Sequence, residues 1–217
     1  LLLGACSGHG FLTHAEGKIH YTVSFPLETN SILLELYPKE MILEFSGDKM
    51  HSSIRSSYGV VCSDVIVDHG DKTMTQMLKS FGEKFRMNLE GAQVGEWLKQ
   101  FPPVRIEYST DKEVIAGYSC DKAIAYFEND SIPPIPLFFT KEIELPQDNW
   151  WNQFAGIDGF LMGYDIEQYG KRMRLLAREV TFEEIPAERF KISQDYTDVG
   201  IAGMDDQLKK LAAELMN

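Results

Sequence analysis

The chain has 217 residues, 44% of them hydrophobic and 25% charged. These are proportions of an ordinary globular protein, and one domain is the default at this length. Its 33 acidic residues outweigh 21 basic ones, giving a net charge of −12, which is unfavourable for binding DNA, RNA or an anionic lipid surface through charge. No apolar run beyond the N-terminus approaches the roughly 18 residues that a membrane-crossing helix needs, so lipid is the expected means of holding the protein at a membrane.

The chain starts with such a lipid signal. Leu3-Gly4-Ala5-Cys6 places a leucine, two small residues and a cysteine at the end of an apolar run, as in a bacterial lipoprotein processing box. On that reading residues 1–5 are the remnant of a signal peptide and Cys6 is the acylated first residue. Residues 6–16, with Ser7-Gly8-His9-Gly10, then form a flexible tether, and residues 17–217 a single domain. The expected address is the envelope of a diderm bacterium, lipid-anchored at the outer membrane and facing the periplasm.

Gly17 to Phe25 alternates strictly, with Ile19, Tyr21, Val23 and Phe25 on one face, which predicts a half-buried strand. Met41–Phe45 and Lys49–Ser56 flank Gly47-Asp48, a hairpin-turn dipeptide. Val60–Val67 and Thr73–Phe81 flank the turn Asp68-His69-Gly70-Asp71-Lys72, and Phe85–Leu89 adds a further strand. The period then changes: Val94, Trp97, Leu98 and Phe101 fall at i, i+3, i+4 and i+7 and predict a helix, stopped by Pro102-Pro103. Strand signals resume at Val104–Ser109, Val114–Phe127, Leu137–Leu145, Gly159–Tyr169 and Arg172–Ile185. Pro133-Pro134-Ile135-Pro136 reads as a rigid loop, and Gly170-Lys171 as a turn. A last helix is expected from Met204 to Met216, with Asp206 pairing Lys210 one turn on. Ten or eleven antiparallel strands with one central and one terminal helix predict a mainly antiparallel β protein of α+β composition, its sheet strongly curved or an incomplete barrel.

Three motifs in order carry a family resemblance. Ile115-Ala116-Gly117-Tyr118-Ser119-Cys120-Asp121-Lys122-Ala123, Phe139-Thr140-Lys141-Glu142-Ile143 and Gly156-Ile157-Asp158-Gly159-Phe160-Leu161 resemble segments of the GLPGLI proteins and related LolA-like envelope lipoproteins. Asp158 stands where that family has proline, and the tail after Arg189 is an extension, so the likeness is to a distant member. It implies a LolA-like half-barrel in which a curved sheet wraps a helix and leaves an apolar concavity able to hold a lipid or a lipoprotein acyl chain.

Trp97 and Phe101 on the central helix, with Phe160, Met162, Tyr164 and Ile166 alternating along one strand, are the candidates to line such a concavity. The competing reading of the same residues is a filled core. Trp150 and Trp151 could stack on a sugar at the rim, and Arg172 and Arg174 could meet an anionic head group there. More simply, the arginines form the wet face of a strand, paired with acidic neighbours. A glycan-binding or protein-binding envelope lipoprotein is thus the rival function, its protein partner undefined. Cys62 and Cys120 could pair as a disulfide or serve separately as small buried residues. His9, His14, His20, His51 and His69 lack zinc-ligand spacing, and neither a G-x-S-x-G elbow nor a glycine-rich phosphate loop is present. The expectation is a non-enzymatic protein without metal or cofactor.

Overall fold

The computed structural model describes residues 16–28, 37–56, 58–129, 131–143, 149–168 and 171–216. The expectations for Cys6, its tether and Gly170 fall outside them. Alternation in the first strand is realised as predicted: in β1 (Glu16–Ser24) Ile19, Tyr21 and Val23 are buried while the intervening side chains face the other way. Strands β2 (Glu40–Ser46) and β3 (Lys49–Arg55) turn at Gly47, whose φ of +56° suits a residue without Cβ. Strands β4 (Val61–Asp68) and β5 (Thr73–Ser80) are joined by a turn in which Asp68 Oδ1 accepts the Gly70 and Asp71 amides at 3.0 Å each. β6 (Glu83–Glu90) leads directly into helix α1 (Gly91–Leu98), where the Gln93 side chain accepts the Glu90 amide at 2.9 Å.

The second half contains β7 (Val104–Ile115), β8 (Tyr118–Phe127), β9 (Ile135–Thr140), β10 (Phe160–Gln168) and β11 (Lys171–Thr181). A short β12 (Thr197–Asp198) and helix α2 (Gly200–Met216) complete the described chain. The twelve strands make one open sheet in the order β12-β6-β5-β4-β3-β2-β1-β11-β10-β9-β8-β7. Two antiparallel meanders, β1 to β6 and β7 to β11, meet where β1 lies against β11, and β12 is parallel to β6.

Several expectations need correction. The described residues form twelve strands rather than ten or eleven, because Thr197-Asp198 carries no strand signal and pairs only through its docking on β6. Val114–Phe127 is a hairpin, not one strand: Ala116 and Gly117 have φ of +51° and +87° and form a tight turn inside the apolar run. Ile135 and Pro136 belong to β9, not to a loop, with Pro136 opposite Ile124. The last helix begins at Gly200, four residues early. Within and around it Asp205 pairs with Lys209 at 2.6 Å, while Lys210 reaches Glu83 on β6 at 3.4 Å.

One face of the sheet is mainly apolar from β1 through β6. Tyr21 stands opposite Met41, Met41 opposite Ile54, and Val67 opposite Met74, so the cross-strand register keeps these residues on one side. Both helices close against that side: Val94 of α1 and Met204 and Leu211 of α2 share a buried cluster with Met74 and Leu89. The central helix is therefore placed as its apolar stripe predicts. α2 packs on β6, beside the terminal strand β12 of the sheet.

The opposite face is crossed by the segment after β11. Its 3-10 turn, Ala187–Phe190, packs on β3, and Arg189 donates to Glu44 Oε2 at 2.6 Å. Beneath it lies a buried polar row, with His51 3.0 Å from Asp64 and 3.5 Å from Glu44. Farther on, Asp195 pairs with Lys84, and Asp198 accepts from Arg86 at 3.2 Å and Asn88 at 2.9 Å. This strap delivers the chain to β12, and Gly200 at φ +62° turns it into α2.

Candidate functional site

Between the apolar face of the sheet and the two helices lies a cavity of about 790 Å³, within the roughly 300–1,000 Å³ typical of small-molecule sites. Its floor is built by β1 to β5 and its wall by β10. α1, α2 and the loop preceding β10 surround its mouth. Most of the lining is apolar, so an occupant would gain about 25 cal/mol for each Å² of apolar surface removed from water.

The loop owes its shape to Asn149. Its buried side-chain amide donates to the carbonyls of Ile157 and Gly159 at 3.0 and 3.1 Å. Gly159 permits the close approach, since a Cβ there would stand 2.6 Å from Phe139 Cδ2. Asn152 accepts the Phe154 amide at 2.8 Å. Trp151 and Phe154 are thereby held against the cavity.

Of the residues named from sequence, Trp97, Phe101, Phe160, Tyr164 and Ile166 all line this space. Trp97 and Phe101 meet edge to face with ring centroids 5.1 Å apart. Met162 does not line it. It is fully buried in the core with Ile19 and Leu175, because the pairing of β9 and β10 slips between Leu161 and Gly163 and the simple alternation fails there. Leu161 takes a place in the lining instead.

The rim candidates separate. Trp151 lines the cavity, whereas Trp150 donates from Nε1 to His69 Nδ1 at 3.3 Å and carries the Lys72 ammonium 5.2 Å from its ring centre. Arg172 and Arg174 are not at the rim. They alternate with Met173 and Leu175, which are buried in the core on the cavity side, and so belong to the outer face. Arg174 there forks onto Asp165 at 2.8 and 3.1 Å, the paired wet-face arrangement weighed above. Cys62 and Cys120 are not a disulfide: both are free buried thiols, on β4 and β8, which are far apart in the sheet order. Burial pushes the Cys120 thiol up to about 11, so it is protonated at neutral pH.

Sequence reasoning missed the polar part of the floor. Ser52 and Gln76 both stand opposite Val65, on β3 and β5, and Ser63 lies two residues along β4. Each sits at a position whose alternation with apolar neighbours points it inward, but a serine or glutamine among apolar residues gives no signal of a cavity by itself.

No family model and no curated protein matches the chain, so the GLPGLI resemblance remains a likeness of three short motifs. Among solved structures, that of PNGF-II superposes with a TM-score of 0.57 at 13% identity, over 91% of this chain and 34% of that one. This chain spans about a third of that structure's length. The MucA/MucB complex structure of Pseudomonas aeruginosa gives a TM-score of 0.33 at 9% identity, over 85% of this chain and 59% of that one. LprF from Mycobacterium bovis gives 0.29 at 13%, over 79% and 90%. The likeness to PNGF-II is one of fold alone, and the other two are too remote in shape to extend it.

Proposed function

We propose that this protein is a non-enzymatic binder or carrier of an apolar ligand, a lipid or a lipoprotein acyl chain, tethered in a bacterial envelope through an acylated Cys6. The observation that carries this reading is the cavity of about 790 Å³ with its mainly apolar lining. A filled core, the basis of the rival reading, would place side chains in that space. The rival also relied on Trp150-Trp151 as a free stacking pair, and Trp150 is held by His69 and Lys72.

Native mass spectrometry of protein extracted gently from its host tests the reading. Co-purified lipid is expected as a mass adduct, with diacylated or triacylated Cys6 as the first residue of the mature chain. Phe160→Arg should abolish the adduct and leave a folded protein, because the guanidinium can extend from the cavity wall towards the mouth. Met162→Arg should unfold it, since an unpaired charge in a filled part of the core costs several kcal/mol, comparable with the whole stability of a domain. An empty spectrum, together with unfolding by both substitutions, would eliminate the carrier.

A further inference from the structure

We infer that the cavity selects uncharged amphiphiles, in which a hydrocarbon chain carries a hydroxyl or amide that both donates and accepts a hydrogen bond. The inference rests on the carrier reading and narrows its ligand. Only two charged side chains line the described cavity, Asp205 and Lys209 of α2, and they neutralise one another one helical turn apart at 2.6 Å. The Lys209 side chain is 72% exposed and that of Asp205 44%. A carboxylate or phosphate drawn inside would therefore be buried without a free cation, which is strongly unfavourable.

The interior instead offers neutral dipoles, and two of them lack partners. Gln76, at 9% exposure, lies in the floor and Trp151 in the wall, and neither the Gln76 Oε1 nor the Trp151 Nε1 has a partner among the described residues. A buried polar atom without a partner is destabilising, because it loses its hydrogen bond to water and gains none in return. Leucine at position 76 would fill the same floor without that cost, so the glutamine is explained by an occupant that pairs with it. Asn149 and Asn152 cannot serve this purpose, because their amides are committed to the loop that holds Trp151. Hydroxyl or amide groups on the ligand would donate to Gln76 and accept from Trp151, and a bare alkane would satisfy neither.

The test compares 1-monolauroylglycerol with laurate, which share one chain and differ in their heads. Both are titrated below their micellar concentrations at about pH 8, where laurate is ionised, against protein loaded with the neutral dye N-phenyl-1-naphthylamine. Emission from Trp97 and Trp151 provides a second signal of occupancy. The glyceride should displace the dye at a concentration at least about tenfold lower than laurate. Gln76→Leu should weaken the glyceride about tenfold and narrow the preference, while the melting temperature of the empty protein stays level or rises. If laurate competes as well as the glyceride, the selectivity for uncharged ligands is wrong and the carrier reading survives. If Gln76→Leu leaves the preference intact, the role given to Gln76 is wrong. Failure of dye and both amphiphiles to bind would overturn the carrier reading itself.

Discussion

Arg189→Ala probes what fastens the outer strap to the sheet. The Arg189 guanidinium donates to Glu44 Oε2 at 2.6 Å; the Glu44 side chain is 5% exposed and that of Arg189 43%. A hydrogen bond between charged groups contributes about 1.5–3 kcal/mol when well shielded. Solvent around the arginine reduces this, and Lys18 remains 3.8 Å from Glu44 after the arginine is removed. The expected loss is about 1–2 kcal/mol, which lowers the melting temperature of a domain of this size by about 2–8 °C. Urea unfolding of the single variants and of Arg189→Ala combined with Glu44→Gln would isolate the pair. Because the strap leads to β12 and α2, its loosening should also speed proteolytic cleavage within residues 183–196. A coupling below about 0.3 kcal/mol, the ordinary error of additivity, would refute the idea that this contact anchors the strap.

The same buried row predicts a pH dependence. Burial alone would raise the Asp64 carboxyl, but the hydrogen bond with His51 and the charge of Arg55 outweigh it and hold it below the usual carboxylate range. Its folded pKa then lies under its unfolded one, near 3.9, so its contribution is present above about pH 4 and is lost as pH falls through the folded value. Urea titrations should show stability dropping below about pH 4, less steeply in Asp64→Asn; equal slopes would remove Asp64 from the account. For the thiols, protein carrying Cys6→Ser should resist Ellman's reagent at about pH 8 when native and expose both Cys62 and Cys120 in denaturant. Prompt labelling of native Cys120 would contradict its burial.

The parts of this structure that were legible in the sequence are those governed by local periodicity and turns. Alternation placed β1, the Gly47-Asp48 and Asp68–Lys72 turns placed two hairpins, and the 3.6-residue stripe set Trp97 at the cavity, whereas Phe101, expected on the same helix, lines it from beyond the helix end at Leu98. Periodicity failed where the backbone departs from it without a marked residue. The slip after Leu161 turned Met162 into the core, and Ala116-Gly117 hid a hairpin turn within an apolar run. Long-range docking was invisible: nothing near Arg189 announces Glu44, and nothing near Met204 announces Leu89. The resemblance implied an apolar concavity, but the polar floor around Gln76 follows only from the register of β3, β4 and β5.

The junction of the two meanders also dictates an order of assembly. β1 is the first strand of the described chain to leave the ribosome, yet one of its two neighbours, β11, is the last long strand. Hairpins β2 to β6 and β7 to β9 can close over short loops, while pairing Lys18 with Thr181 must wait for almost the entire chain. Until then the apolar side of β1, with Ile19, Tyr21 and Val23, stands at an unpaired sheet edge, the kind of surface on which nascent chains aggregate. The joining of β1 to β11 should therefore be the slow step of folding, and substitutions along that seam should slow it more than equally destabilising ones within a hairpin.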